Sequence, residues 1–155
     1  KCSQSSLICL NNGVIDVNDC TKCRCPSGWG GLDCSQEPKD ATVLTATESN
    51  QNFSTTLGDL DDPMDIDYDF KHIVIKAPIG RRIRVEIKSM WAAYDILCKY
   101  GGLEIFTKED TRISPPRVCA LSLAQKGYES DSNRMYIRLF KRIYQVQMNM
   151  NYRLI

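Results

Sequence analysis

Cys23-Arg24-Cys25-Pro26-Ser27-Gly28-Trp29-Gly30-Gly31-Leu32-Asp33-Cys34 is the stretch on which the fold of this chain turns. It closes a run of six cysteines, Cys2, Cys9, Cys20, Cys23, Cys25 and Cys34, separated by six, ten, two, one and eight residues. A segment this short cannot bury enough apolar surface to fold by burial alone, so cross-links must hold it together. Paired thiols persist only in an oxidising compartment, and a structural zinc site normally uses four ligands with Cys-x-x-Cys or His spacing, whereas this run has six cysteines in a different arrangement. The reading is therefore a secreted, extracellular protein. Pro26, Gly28, Gly30 and Gly31 supply the tight turns and positive φ angles that a small hairpin needs.

The spacing, with Gly28, Trp29, Gly31 and Cys34, resembles an epidermal growth factor-like (EGF-like) module over residues 2–34. The resemblance implies pairing of Cys2 with Cys20, Cys9 with Cys23, and Cys25 with Cys34; the cysteine count alone leaves many connectivities open. Only two residues separate Cys20 from Cys23, which shortens the main hairpin relative to many such modules.

Outward from this run the chain is ordinary in composition: 155 residues, 25% charged, 43% hydrophobic and a formal net charge of +1. These values exclude disordered and collagen-like classes. No window reaches the roughly 18 uncharged apolar residues of a membrane span. The chain begins at Lys1 with no signal segment, which leads to the expectation that it is cut from something longer. Residues 1–35 read as the EGF-like module, 36–40 as a polar linker around Gln36, Glu37 and Pro38, and 41–155 as a second domain large enough to bury its own core.

In the second domain apolar residues alternate with period two at Ile73, Ile75 and Ala77, at Ile83, Val85 and Ile87, and at Met135, Ile137 and Leu139. Turn signals fall between them at Ala77-Pro78-Ile79-Gly80, Gly101-Gly102, Ser114-Pro115-Pro116 and Asp131-Ser132-Asn133. Many short half-buried strands with little helix make the predicted fold mainly β, an antiparallel sandwich. Five segments, Ile73 to Gly80, Arg82 to Ile87, Cys98 to Ile105, Val118 to Ala120 and Ser132 to Phe140, together resemble a CUB domain, an extracellular jelly-roll sandwich. The resemblance implies a disulfide between Cys98 and Cys119. It also shows Lys71 standing where the family's first disulfide would have a cysteine.

Many CUB domains bind calcium through a Glu and two Asp residues. Here Ala92 and Ala93, Gly101 and Arg142 stand at those places, so the expectation is no calcium site. Asp65, Asp67 and Asp69 alternate as in an EF-hand loop, but Phe70 replaces the required Gly and Lys76 the required Glu. The stretch containing Asp59, Asp61 and Asp62 as well is read as a solvated acidic loop. His72 is the sole histidine, no His-Glu-x-x-His or Gly-x-Ser-x-Gly occurs, and the thiols are committed to disulfides. No catalytic residue, metal ligand or cofactor site is therefore predicted in these residues.

The order EGF-like then CUB, with Asn18-Asp19-Cys20-Thr21-Lys22-Cys23-Arg24-Cys25 opening the terminal motif, resembles the non-catalytic C-terminal region of secreted astacin-family zinc metalloendopeptidases, nematode members especially. That resemblance implies zinc and peptide-bond cleavage in an upstream domain, with these residues recognising an extracellular protein substrate or matrix component. The alternative is a stand-alone secreted EGF–CUB binding protein or receptor ligand.

Charge is segregated although it nearly sums to zero. Residues 71–88 hold six Lys or Arg and one Glu, 134–155 hold five and no acid, and 48–69 hold seven acids and no base. Alternation places Arg82, Arg84 and Lys88, and likewise Arg134 and Arg138, opposite their apolar neighbours. If the two faces adjoin, they form a patch for a sulfated glycan or acidic partner, in preference to nucleic acid. Otherwise they are solvated sheet faces balanced by the acidic loop. Trp29 reads as a packing residue, Trp91 and Tyr94 as core cover or binding surface, and Asn52-Phe53-Ser54 as the one N-glycosylation sequon.

Overall fold

A computed structural model describes all 155 residues. The first 36 are held by covalent bonds more than by packing. Strands β1 (Val14–Asp16) and β2 (Asp19–Arg24) form an antiparallel hairpin in which Ile15 faces Cys23. Disulfides join Cys2 to Cys20, Cys9 to Cys23 and Cys25 to Cys34, the connectivity implied by the EGF-like resemblance. Cys23 and Cys34 are the only buried cysteines of the module, and Ile8, Val14, Val17 and Leu32 lie on its surface. Its stability therefore rests on the cross-links.

The remainder is a β-sandwich. One sheet has the order β3-β5-β10-β7-β8, from Thr42–Thr45, Asp69–Lys76, Arg134–Lys141, Gly101–Phe106 and Arg117–Val118. The other has the order β4-β11-β6-β9, from Gln51–Gly58, Gln145–Leu154, Ile83–Trp91 and Tyr128–Glu129. All pairings are antiparallel except that of β3 with β5. The only helix is one 3-10 turn, Leu121–Leu123. Period-two alternation explains the core: Ile73 and Ile75, Ile83 and Val85, and Met135, Ile137 and Leu139 all have no exposed surface. Burying each such side chain contributes about 1.5–3 kcal/mol. They belong to one cluster of 22 buried residues that also includes Cys98 and Cys119, which form the fourth disulfide.

Two features depart from simple alternation. Val74 and Tyr136, on the outer face of β5 and β10, are as buried as the core residues beside them but lie outside its cluster. The EGF-like module covers Tyr136: a Cβ at Gly28 would sit 2.8 Å from Tyr136 Cδ1.

The second departure concerns the acidic stretch, which is not solvated along its whole length. Lys141 at the end of β10 is buried, and its ammonium meets Asp62 at 2.9 Å and Asp69 at 3.2 Å. Its stem occupies the space a side chain at Gly58 would need. Asp65 N donates to Arg142 O at 2.7 Å and Tyr144 N to Asp62 O at 3.1 Å, so two backbone bonds tie this loop to the end of β10.

Candidate recognition surfaces

The outer face of the first sheet is built from rows of paired residues: Lys76 beside Arg134, then Val74, Tyr136 and Phe106, then His72, Arg138 and Glu104. The EGF-like module docks on these rows. The Arg134 guanidinium lies 3.9 Å from the Trp29 ring centroid and donates to Gly28 O and to Glu37 Oε2. Lys76 Nζ holds the other Glu37 oxygen at 2.6 Å. Burial pushes the Glu37 carboxyl up, but the hydrogen bonds from Arg134 and Lys76 outweigh it and leave the group below its ordinary value. Arg138 donates to Ser27 Oγ at 3.1 Å and to both oxygens of the buried Glu104 at 3.1 Å. On the far side Asn12 Nδ2 donates to Thr111 Oγ1 at 3.0 Å, and Thr111 Oγ1 to Asn11 O at 3.2 Å. A cavity of about 130 Å³ remains between the modules, lined in part by Asn11, Trp29, Lys108 and Arg134.

His72 belongs to the same face. Its Nδ1 lies 2.6 Å from Tyr136 Oη, and its ring stacks on Tyr136 and Phe70. Burial, and then the Arg138 charge, hold its pKa below the ordinary 6.5, against a smaller opposite effect of Asp40. Burial likewise raises the Tyr136 phenol.

The five basic residues singled out in the sequence do not come together. Arg82, Arg84 and Lys88 belong to β6 and its approach in the second sheet, while Arg134 and Arg138 lie on β10 in the first. Two sheets stacked face to face present their outer surfaces in opposite directions, so the two sets cannot form one patch. Within each set carboxylates intervene. Arg84 meets Glu129 at 2.7 Å and Glu86 at 3.1 Å, Arg82 meets Glu129 at 3.9 Å, and Lys88 meets Glu86 at 3.9 Å. Arg134 and Arg138 hold the modules together instead.

A different surface surrounds the fourth disulfide. The segment from Trp91 to Cys98 bulges out between β6 and β7 and exposes Tyr94, Ile96 and Leu97 by 60%, 80% and 74%. Cys98–Cys119 anchors the end of this loop next to the 3-10 turn, where Leu121 and Leu123 are also exposed. The ridge concentrates apolar surface of the kind found in protein interfaces. Trp91 and Tyr94 drew attention in the sequence through their aromatic rings. Ile96, Leu97, Leu121 and Leu123 were missed because aliphatic residues in a β protein are first assigned to the core.

No protein-family model matches the chain. The chain is 31% identical over 128 residues to zinc metalloproteinase nas-22 of Caenorhabditis elegans, a match covering 77% of this chain and 35% of that protein. It is 29% identical over 150 residues to zinc metalloproteinase nas-31 of the same organism, covering 96% of this chain and 24% of that one. Among solved structures, the CUB1-EGF-CUB2 region of rat MASP-1 superposes with a TM-score of 0.53 at 14% identity, over 74% of this chain and 42% of that one. The second domain has the CUB fold. The extracellular region of zebrafish Gpr126 matches with a TM-score of 0.52 at 16% identity, over 75% of this chain and 15% of that chain. The chain is thus a homologue of nematode zinc metalloproteinases over most of its own length, and spans about a quarter to a third of theirs.

The residues present do not fit a zinc site. The one histidine faces Tyr136, every cysteine is in a disulfide, and no group of three or more His, Cys, Asp or Glu side chains converges. At the places where the CUB resemblance would put calcium ligands, Ala92 is packed into the core, Gly101 pairs with Lys141, and the Arg142 guanidinium lies over the Tyr68 ring. What the EGF–CUB region offers chemically is surface: a docked pair of modules, an apolar ridge and a polar sheet face.

Proposed function

We propose that this chain is the non-catalytic EGF–CUB region of a secreted zinc metalloendopeptidase of the astacin type, and that it recognises an extracellular protein substrate or matrix component while cleavage occurs in another domain. The observation that carries the reading is the ridge of Tyr94, Ile96 and Leu97, apolar surface held out by a disulfide in a chain homologous to proteinases. Removing exposed side chains of this type changes stability by about 0.5 kcal/mol or less, yet they supply the contact area that anchors a protein partner. Docking of the EGF-like module through Arg134 and Glu37 supports the same role, because a stiff pair of modules loses less freedom when it engages a partner.

The test compares the proteinase carrying this region with one in which Tyr94, Ile96 and Leu97 are all changed to Ser. On an extracellular protein substrate kcat/KM should fall by roughly tenfold, equivalent to about 1.4 kcal/mol. On a short peptide substrate it should stay unchanged. Equal loss on both substrates, or loss on neither, would overturn the reading. A chain that proves to be made without any proteinase domain would leave the stand-alone binding protein in its place.

A further inference from the structure

The outer face of the second sheet carries a surface unlike the rest of the molecule. Register places its outward residues in three rows across β4, β11 and β6: Asn52, Asn151 and Glu86; then Ser54, Asn149 and Ser89; then Thr56, Gln147 and Trp91. The second and third rows line a trough of about 380 Å³ with amides, hydroxyls and one half-exposed indole, and no charged side chain contributes to it. Planar amides and hydroxyls offer paired donors and acceptors, while the flat face of an indole accepts the C–H face of a sugar ring. A protein partner would call for an apolar or arginine-rich centre, which the trough lacks. Its chemistry is that of a neutral carbohydrate platform.

The occupant is indicated by the first row. Asn52 is the acceptor of the Asn52-Phe53-Ser54 sequon, is exposed, and projects from the same face as the trough. Along β4 it lies two residues from Ser54 and four from Thr56, so the far end of the trough is about 13 Å away along the strand and two strands across. We propose that Asn52 carries an N-linked glycan and that this glycan lies across the β4–β11–β6 face, its sugars resting on the Gln147 amide and stacking on Trp91, while both Asn149 N–H groups stay engaged with Asn52 Oδ1 and Ser54 Oγ.

In the modification the Asn52 amide nitrogen forms a bond to the anomeric carbon of a lipid-diphosphate-linked oligosaccharide. The anomeric C–O bond breaks, the lipid diphosphate departs with the electron pair, and one amide proton is released. The local network tolerates this loss. Asn52 Nδ2 now faces Asn151 Oδ1 at 2.9 Å, Asn149 Oδ1 at 3.1 Å and Met150 O at 3.2 Å. The remaining hydrogen can still serve one of them, and Asn52 Oδ1 continues to accept from Asn149 Nδ2 at 3.0 Å. A glycan held in this way covers Trp91 and the trough, leaving the docked EGF-like module and the apolar ridge open.

The experiment uses the full chain secreted from eukaryotic cells. Intact mass should show one N-glycan that disappears in Asn52→Gln and, independently, in Ser54→Ala. Iodide quenching of tryptophan fluorescence should increase when an endoglycosidase trims the glycan to its first sugar, and the increase should vanish in Trp91→Leu, where only Trp29 remains to report. An unmodified Asn52 overturns the proposal, including the case in which added free oligosaccharide protects Trp91, since the occupant would then be external. A glycan whose trimming leaves quenching unchanged overturns the docked arrangement.

Discussion

Arg134 shows how much one side chain can decide. It stacks on Trp29, donates to Gly28 O and closes an ion pair with Glu37, three partners contributed by the other module and the linker. Because both charges are largely withdrawn from water, the pair is worth more than an exposed one. Arg134→Ala should lower stability by about 1–3 kcal/mol, and a double-mutant cycle with Glu37→Gln should return a coupling on the order of 1 kcal/mol. Additive effects in chemical denaturation would show that the pair does not couple. Gly28 adds a steric requirement: it has a φ of 90°, in the left-handed region, and no room for a Cβ beside Tyr136.

His72 makes a prediction about pH. Its folded pKa is depressed below 6.5, so the unfolded chain holds the proton more tightly. Stability must then fall as pH drops below about 6.5 and level off once the folded histidine is also protonated. Glu37, also depressed, retains its contribution above its ordinary 4.5 and loses it at lower pH, as its folded pKa is passed, so the loss due to His72 sets in first as the pH falls. Urea midpoints measured from about pH 7.5 to 5.5 should decline in the native chain and flatten in His72→Gln. An unchanged slope in the variant would assign the decline to another group. The sequence offered no sign of this environment, since the contact of His72 with Tyr136 spans 64 positions.

Among the elements, the segment between β6 and β7 has the most to lose. Cys98 and Cys119, 21 residues apart, clip the exposed loop to the strand that precedes the 3-10 turn. Closing such a loop restricts the unfolded chain by about 3 kcal/mol, so the Cys98→Ala, Cys119→Ala double variant should lose about that much. Amide exchange should also accelerate across 92–97 while β10 stays protected; uniform acceleration would mean that the clip supports the whole sandwich instead of the ridge. β10 itself sits at the centre of its sheet, between β5 and β7, with the core on one face and the EGF-like module above Tyr136 on the other. Its alternation of Met135, Ile137 and Leu139 marked a strand with one wet face, and Arg134 and Arg138 were assigned to that face accordingly. The assignment of side was right and the environment was not, because the covering module lies about a hundred residues away in the chain.

At the scale of the molecule the contacts between modules predict a single body. Backbone relaxation should give one rotational correlation time for residues 1–36 and for the sandwich, and Arg134→Ala with Glu37→Gln should give the EGF-like part a shorter time of its own. Separate times in the native chain would mean that the docking is transient. The cysteine spacing and the period-two strands marked a cross-linked first module and a β second domain, because each is written in residues near one another or in repeating local patterns, while the disulfide partners and the kinship with nematode proteinases were implied by the resemblance of these motifs to known families. Only the tertiary structure decided that β6 and β10 belong to opposite sheets, that Arg134 and Glu37 join the modules, and that Asn52 shares a face with Trp91. Those juxtapositions depend on which strands become neighbours, and strand order is set by packing among residues far apart in the chain, which no local pattern of polar and apolar residues encodes.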